Sequence, residues 1–373
     1  MDAEKFQESF KGLEAEVRKV IVGHDDTIRK VLIAFFAGGH VLLEGVPGLG
    51  KTLLVKTLSR ALGVSFKRIQ FTPDLMPSDI VGTQVLAEIN GRREFQFKQG
   101  PIFAHVVLAD EINRATPKTQ SAVLEAMEEK QVTVFGESHI LESPFMVLAT
   151  QNPIELEGTY PLPEAQLDRF FFKLLVLSPT PAELREILKR TTGTETADMH
   201  EVLPEDGGKR IKEMKQLLRQ VLIAPPIEDY VVRLVHATQP QPQNSPNSPV
   251  RQYLRFGSSP RGAQSVILGA KGHALADGRV HVSYEDVENV LFPALRHRIE
   301  DLEDLVPLLL RDIELFKQIP SFAANLSIPT LDEKAWRATE PATQMLPLAL
   351  LVLLAAALPN IGGWGPREGV TAW

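Results

Sequence analysis

Cysteine is absent from the 373-residue chain. Disulfides and thiolate metal sites are therefore excluded, while the redox compartment stays open. A membrane span needs roughly 20 apolar residues. The apolar stretch Met345–Leu358 falls short of that and carries Pro347 near its start. An excess of positive charge is also lacking. The formal net charge is −7, and no segment interleaves aromatic with basic residues. Both features argue against a surface that coats nucleic acid, although a local basic groove is not excluded. There is no internal repeat. The opening Met1-Asp2-Ala3-Glu4-Lys5 reads as the start of a charged helix rather than a signal peptide, so a cytoplasmic location is expected.

What is present is ordinary for a soluble globular chain, with 44% hydrophobic and 23% charged residues, and the length suffices for two domains. Phe6, Phe10, Leu13, Val17 and Val20 recur at helical spacing, which predicts one buried helix face. Short apolar runs at Val41–Glu44, Val106–Ala109, Phe145–Thr150 and Phe171–Leu177, separated by helical stretches, predict an α/β fold. Its parallel sheet would lie between helices. Ser178-Pro179-Thr180-Pro181 breaks the pattern and marks a hinge. Helical periods then follow at Ala182–Thr191, Lys209–Leu222, Ile227–His236, Arg261–Asp277, Tyr284–Leu295 and Asp301–Lys317, around a polar, proline-rich loop at Gln239–Pro249. The expected organisation is an α/β nucleotide-binding core over residues 1–178, an all-helical domain over 179–328, and an atypical tail over 329–373.

The most informative segment is Gly45-Val46-Pro47-Gly48-Leu49-Gly50-Lys51-Thr52, directly after the apolar run Val41-Leu42-Leu43. A strand that ends in a glycine-rich loop and passes into a helix presents backbone N–H groups and a helix N-terminus to phosphates. Lys51 would reach the β- and γ-phosphates and Thr52 would ligate Mg²⁺. The run Val106-Val107-Leu108-Ala109-Asp110-Glu111 is a second buried strand with two carboxylates at its C-terminal end, where open α/β sheets bind ligands. Asp110 would hold Mg²⁺ and Glu111 would polarise an attacking water. The strand Val147–Thr150 leads to Gln151-Asn152, and Asn152 can contact both the γ-phosphate and that water. Two arginines complete the set. Arg169 precedes an apolar strand and should sit at the molecule's edge. Arg261 follows Ser259-Pro260, a helix start, and should project from the helical region. Such arginines stabilise charge on a transferring phosphoryl group. Taken singly, each reads better as a surface salt bridge.

The order Gly45–Thr52, Asp110-Glu111, Asn152, Arg169, Arg261 resembles that of an AAA+ ATPase, with its Walker A, Walker B, sensor 1, arginine finger and sensor 2. More narrowly, Leu43–Thr52, Asp110–Ala115, Ala149–Pro153 and Gly158–Phe170 resemble the MoxR family over roughly residues 10–325. The resemblance implies ATP and Mg²⁺ as ligands, a helical lid and a homo-oligomeric ring, usually a hexamer, in which Arg169 acts on the neighbour's ATP. It extends the nucleotide contacts to Val22, Gly23 and Leu53, beside Gly45, Val46, Pro47, Gly48, Leu49, Gly50, Lys51, Thr52 and Asp110. The family's usual I-V-G-Q reads Ile21-Val22-Gly23-His24 here. His24 keeps a hydrogen-bonding side chain, so nucleotide binding is expected to survive. The implied activity is chaperone-like: remodelling or maturing a client protein complex, often with a partner that carries a von Willebrand factor A domain.

Two hairpins are expected at Gln84–Ile89/Arg92–Lys98, around Asn90-Gly91, and at Gln131–Phe135/Glu137–Leu141. Their positions match the helix-2 insert and pre-sensor-1 hairpin of the AAA+ clade that includes MoxR, magnesium chelatase and replicative helicase relatives. Arg92, Arg93 and Lys98 would either touch a client or simply solubilise an edge hairpin. The tail stretch 345–358 has three readings: a helix packed on the lid or a partner, a short membrane contact, or a fused sequence. Two other functions stay open, a DNA- or RNA-dependent motor and a slow ATP-bound assembly switch.

Overall fold

The computed structural model describes residues 1–299, except 90–91, 154–157, 194–197, 204–206, 241–253 and 255. The expected helix at 301–317, the tail stretch 345–358, the Asn90-Gly91 turn, the Arg92 side chain and most of the polar loop lie outside the described residues. Met1–Val235 with Ser258–Arg298 form one compact unit, and His236–Gly257 with Ile299–Trp373 form a second. The sheet and every candidate site residue belong to the first.

The strands are β1 (Val41–Glu44), β2 (Phe66–Gln70), β3 (Gly82–Ile89), β4 (Arg92–Gln99), β5 (Val106–Asp110), β6 (Gln131–Val134), β7 (Glu137–Ile140), β8 (Met146–Gln151) and β9 (Phe172–Leu175). Five of them make a parallel sheet in the order β2-β5-β8-β1-β9. Every residue of β5 is buried, as are all of β8 but its last. Burial without alternation is the mark of a sheet covered on both faces, which the apolar runs predict. β2 has no such run, because it is an edge strand. Lys67 and Arg68 are exposed and only Ile69 is buried, so its sequence carries no strand signal of that kind. β9 is shorter than the expected 171–177, since Leu177 is already solvent-exposed ahead of the Ser178-Pro179 break.

Helix α1 (Ala3–Arg18) is N-capped by Asp2, whose carboxylate accepts from Lys5 N at 2.9 Å. Phe6, Phe10, Leu13 and Val17 are fully buried as their spacing predicts; Val20 is only half-buried, because the helix ends two residues before it. Phe6 and Phe10 pack on Phe36 of α2 (Asp25–Ala37), with ring centroids 5.6 and 6.2 Å away. Each such buried ring contributes about 2 kcal/mol. α3 (Lys51–Ala61) follows β1, α4 (Pro77–Val81) precedes β3, and α5 (Pro117–Glu129) follows β5. α6 (Glu164–Leu167) leads into β9.

Beyond Pro179 the regular elements among the described residues are helices, with boundaries within two residues of the expected ones: α7 (Pro181–Thr192), α8 (Gly207–Gln220), α9 (Pro225–Ala237), α10 (Pro260–Ala276) and α11 (Tyr284–Leu295). Thr180 and Glu183 form a capping box ahead of α7, and Pro181 fills its first turn. Asp286 at the start of α11 is fully buried. It accepts from Ser283 N and Oγ, from both Arg279 Nη atoms at 2.6 Å, and pairs with His273 Nδ1 at 2.7 Å. Burial alone would raise its pKa, yet the bonds from Arg279, His273 and Ser283 prevail and hold it far below the usual carboxylate range.

Both expected hairpins form, β3–β4 and β6–β7. They meet where the Phe97 ring stacks on His139, centroids 3.9 Å apart. Beyond that contact Leu86 faces Phe95 across the first hairpin, and both are exposed. Phe135 and Ile140 are exposed on the second. Among the described residues no helix is long and apolar enough to cross a membrane.

Candidate nucleotide site and arginine edge

β1 delivers Gly45 to the C-terminal edge of the sheet. A Cβ there would lie 2.6 Å from Val176 O, so the loop leaves the strand too close to its neighbour for any side chain. Gly48 and Gly50 adopt left-handed φ values of 84° and 76°, and open space surrounds their missing Cβ positions. The result is a backbone hollow that opens onto the first turn of α3, where unpaired N–H groups and the helix dipole favour an anion. Lys51 Nζ lies within this loop and donates to the Gly45 and Val46 carbonyls. Burial lowers the Lys51 pKa, opposed by Asp110, Glu111 and Glu44. Leu53, the next residue of the helix, is exposed.

The parallel order β5-β8-β1 sets three strand ends side by side. Thr52 Oγ1 lies 3.4 Å from Asp110 Oδ2, and Thr150 Oγ1 donates to Asp110 Oδ1 at 2.6 Å. Thr150 Oγ1 also accepts from Glu111 N at 2.8 Å, which pins the turn after β5. Glu111 sits at φ 57°, a left-handed conformation rare for a residue with a side chain. Such backbone strain collects at functional sites. The Glu111 carboxylate accepts from Gln70 Nε2 at 2.8 Å and lies 3.3 Å from Arg114 Nε. Arg68 pairs with Asp110, with Nη2 at 2.7 Å from Oδ2. Asn152 is buried at the end of β8, between the phosphate loop and the acid pair. A threonine hydroxyl and a carboxylate oxygen converging beside a phosphate loop are the hard oxygen donors that Mg²⁺ selects, so the residues fit that ion.

Val22 and Gly23 precede α2. A Cβ on Gly23 would fall 2.4 Å from Glu183 Oε1 of α7, and Gly23 is left-handed at φ 72°. His24, also left-handed, has its pKa lowered by burial against the opposing pull of Glu183.

The two arginines lie elsewhere. Register places Val41 beside Phe172 and Glu44 beside Leu175, so Arg169, three residues before Phe172, belongs to the N-terminal ends of the strands. Gly45 and the phosphate loop occupy the opposite ends. The two are separated by at least the length of β1, about 13 Å at 3.3 Å per residue. Arg169 is at the edge as expected but is only partly exposed. Its Nε lies 3.1 Å from Glu128 Oε2, and its Nη1 donates to Leu124 O. Arg261 donates to the other oxygen of the same Glu128 and lies 3.9 Å from Asp168. The structure thus unites Arg169 with Arg261 and sets both apart from Lys51. Arg298, nearly buried, donates to Asp168 Oδ1 at 2.8 Å, Asp168 O at 3.0 Å and Phe170 O at 2.7 Å, fixing the turn that carries Arg169.

Sequence reasoning missed Arg68, Gln70, Glu128, Thr150 and Arg298. Thr150 stood beside a recognised residue. Arg68 and Gln70 share one side of a strand by their two-residue spacing, but the strand itself was not legible. Glu128 and Arg298 come from helices whose role depends on tertiary packing.

The model of the ATPase family associated with various cellular activities (AAA) matches residues 40–172, and that of the AAA lid domain matches residues 248–310. "Chaperone MoxR1" of Mycobacterium tuberculosis is 46% identical over 286 residues, 76% of this chain and 74% of that protein. "Protein MoxR" of Methylorubrum extorquens is 33% identical over 298 residues, 77% of this chain and 86% of that protein. A crystal structure from Cytophaga hutchinsonii superposes with a TM-score of 0.73 at 36% identity, covering 88% of this chain and 97% of that one. Phosphate loop, acid pair, lid match and similarities over three quarters or more of the chain agree: the chain belongs to the MoxR family of AAA+ ATPases.

Proposed function

We propose that this protein hydrolyses ATP in sites shared between subunits of a ring, and uses the resulting change of shape to remodel or mature a client protein complex. The carrying observation is the separation of its parts. Lys51, Thr52, Asp110 and Glu111 gather at one end of the sheet, while Arg169 and Arg261 gather at the other. A subunit that cannot bring its arginines to its own phosphates has reason to offer them to a neighbour's.

In this reading the loop amides of Gly45–Gly50 and the N-terminus of α3 hold the phosphates, with Leu53 beside them and Val22-Gly23 bordering the base. Lys51 turns from the loop carbonyls to the β- and γ-phosphates. Thr52 and Asp110 hold Mg²⁺, which when bound neutralises charge on the phosphate oxygens. Glu111 accepts the proton of the attacking water, and Asn152 orients that water. The neighbour's Arg169 and Arg261 stabilise the transferring phosphoryl group, a contribution of about 10³ to 10⁵ in rate for such arginines. We take residues 1–178 as the nucleotide core, 179–328 as the lid and 329–373 as a tail of separate role. A hexamer, a von Willebrand factor A domain partner and a cytoplasmic setting follow from the family resemblance. The net charge of −7 speaks against nucleic acid as the client.

The test is steady-state ATP hydrolysis against protein concentration, with wild type and Glu111→Gln in parallel. Turnover per subunit that rises with concentration, and is lost in the variant, supports a shared-site enzyme. Turnover that is independent of concentration overturns the shared site. Tight binding without turnover moves the reading to a nucleotide-held assembly switch.

A further inference from the structure

Glu128 lies one residue from the end of α5 and holds two arginines at once. Its Oε2 pairs with Arg169 Nε at 3.1 Å, and its Oε1 accepts from Arg261 Nη2. The arginines reach it from unrelated places, one from the turn before β9 and one from the first turn of α10. Two guanidiniums repel each other, and a shared carboxylate is what allows them to sit side by side. The surrounding charges do not balance. Arg169, Arg261 and Arg298 bring three positive charges against the two negative charges of Glu128 and Asp168. Arg169 and Arg261 keep 30% and 45% of their side-chain surface exposed. On an otherwise acidic chain, this patch retains a net positive charge and open donors. An anion is what it fits.

We propose that Glu128 is a positioning residue that binds Arg169 and Arg261 into one unit, so that both guanidiniums reach the phosphates held by an adjoining copy of this chain together. The inference rests on the shared-site reading and goes beyond it. It makes the two arginines a single functional element whose geometry is set by a third residue that need not touch the nucleotide. Glu128 acts only through them, so its effect falls on turnover rather than on nucleotide affinity. It also vanishes when an arginine is already missing.

The experiment is a mutant cycle on the full chain, comparing wild type, Glu128→Gln, Arg169→Ala and the double variant. ATP turnover, KM, affinity for a fluorescent ATP analogue and melting temperature are each measured. Glu128→Gln keeps the shape of the side chain and removes its charge. It is expected to lower kcat by about 10- to 100-fold, the range for a misplaced catalytic group, with KM, analogue affinity and melting temperature close to wild type. Added to Arg169→Ala, it is expected to change the residual rate less than twofold. Turnover of Glu128→Gln within twofold of wild type would overturn the proposal. So would a full loss on top of Arg169→Ala, or a melting temperature that falls in step with the rate, since Glu128 would then merely hold the fold. If the wild type binds the analogue but does not turn over ATP, the ATPase reading fails first and the proposal goes with it.

Discussion

Gln70 Nε2 donates to Glu111 Oε2 across 2.8 Å, joining the edge strand of the sheet to the residue assigned as general base. Glu111 is already held by Thr150 through its amide and approached by Arg114 at 3.3 Å. Its carboxylate is thus oriented from one side by a strand whose sequence gives little hint of its existence.

A carboxylate that has lost the donor fixing it samples other rotamers and is less often aimed at its target. Gln70→Ala should therefore lower basal turnover, by up to about tenfold if the whole worth of one hydrogen bond to a charged group is lost. Nucleotide affinity should stay unchanged, because Gln70 lies on the far side of Glu111 from the phosphate loop in strand order. Steady-state kinetics and an equilibrium binding titration decide this. Turnover at or above the wild-type level would show that Gln70 does not orient Glu111.

Arg298 should matter for stability before it matters for catalysis. Only 3% of its side chain is exposed, and it satisfies Asp168 Oδ1, Asp168 O and Phe170 O together. Removing it leaves Asp168 O without its donor and takes the close charged partner from the Asp168 carboxylate, which keeps Ser259 Oγ at 2.7 Å, while Phe170 O keeps His297 Nε2 at 2.9 Å. Breaking such an ion pair from its buried side costs about 3 kcal/mol. Lysine presents one ammonium in place of a planar fork and cannot reach all three acceptors. Arg298→Ala and Arg298→Lys should both lower the thermal midpoint, measured by calorimetry, by roughly 5–10 °C. A lysine variant that melts like the wild type would mean that charge, not the fork, holds the turn.

His40 supplies a pH dependence whose sign can be worked out. It is buried between β1 and α5. Its Nδ1 accepts from Val147 N at 2.9 Å, so Nε2 carries the proton and donates to Met127 O at 3.1 Å. Burial is the main cause that takes its pKa down to about 4. The unfolded chain, with an ordinary value near 6.5, therefore binds the proton more readily than the folded one. The stability that neutral His40 contributes is complete above about pH 6.5 and is lost as pH falls from there toward 4. Between pH 8 and pH 5 this amounts to about 2 kcal/mol. His40→Gln should weaken the fold at pH 8 and reduce the stability difference between pH 8 and pH 5 by about that amount in urea titrations. An unchanged difference would assign the acid sensitivity to other groups, of which His297 is the first candidate, its pKa also pushed well down by burial.

The parts legible in the sequence share a physical trait: each is written locally. Buried parallel strands are continuous apolar runs, so β1, β5 and β8 could be read within a residue of their ends. The phosphate loop needs glycines at fixed offsets, and the helices beyond Pro181 show the helical period of their apolar residues. What escaped depends on neighbours distant in sequence. β2 is a strand only because β5 lies beside it, with Arg68 and Gln70 finding Asp110 and Glu111 there. Arg169 and Arg261 were legible as candidates, but not their meeting on Glu128, which requires the end of α5, the turn before β9 and the start of α10 to converge.

That convergence leads to the most decisive prediction. If Arg169 serves the neighbouring subunit, Arg169→Ala should keep its own nucleotide affinity and lose most turnover, since arginines in this role contribute about 10³ to 10⁵ in rate. Lys51→Ala should lose binding at its own site yet still present an intact Arg169. Neither variant alone has a working site. In a mixed ring, an Arg169→Ala subunit that binds ATP can be followed by a Lys51→Ala subunit that supplies the arginine. With equal amounts and random assembly, half the subunits hold a sound phosphate loop and half of those meet a sound arginine. Mixing should then restore about a quarter of wild-type turnover, the share of intact heterologous interfaces. Activity measured across mixing ratios should peak near one to one. A mixture as inactive as its parts would place the action of Arg169 within a single subunit, and an Arg169→Ala variant that is fully active alone would remove the reason for the arginine edge.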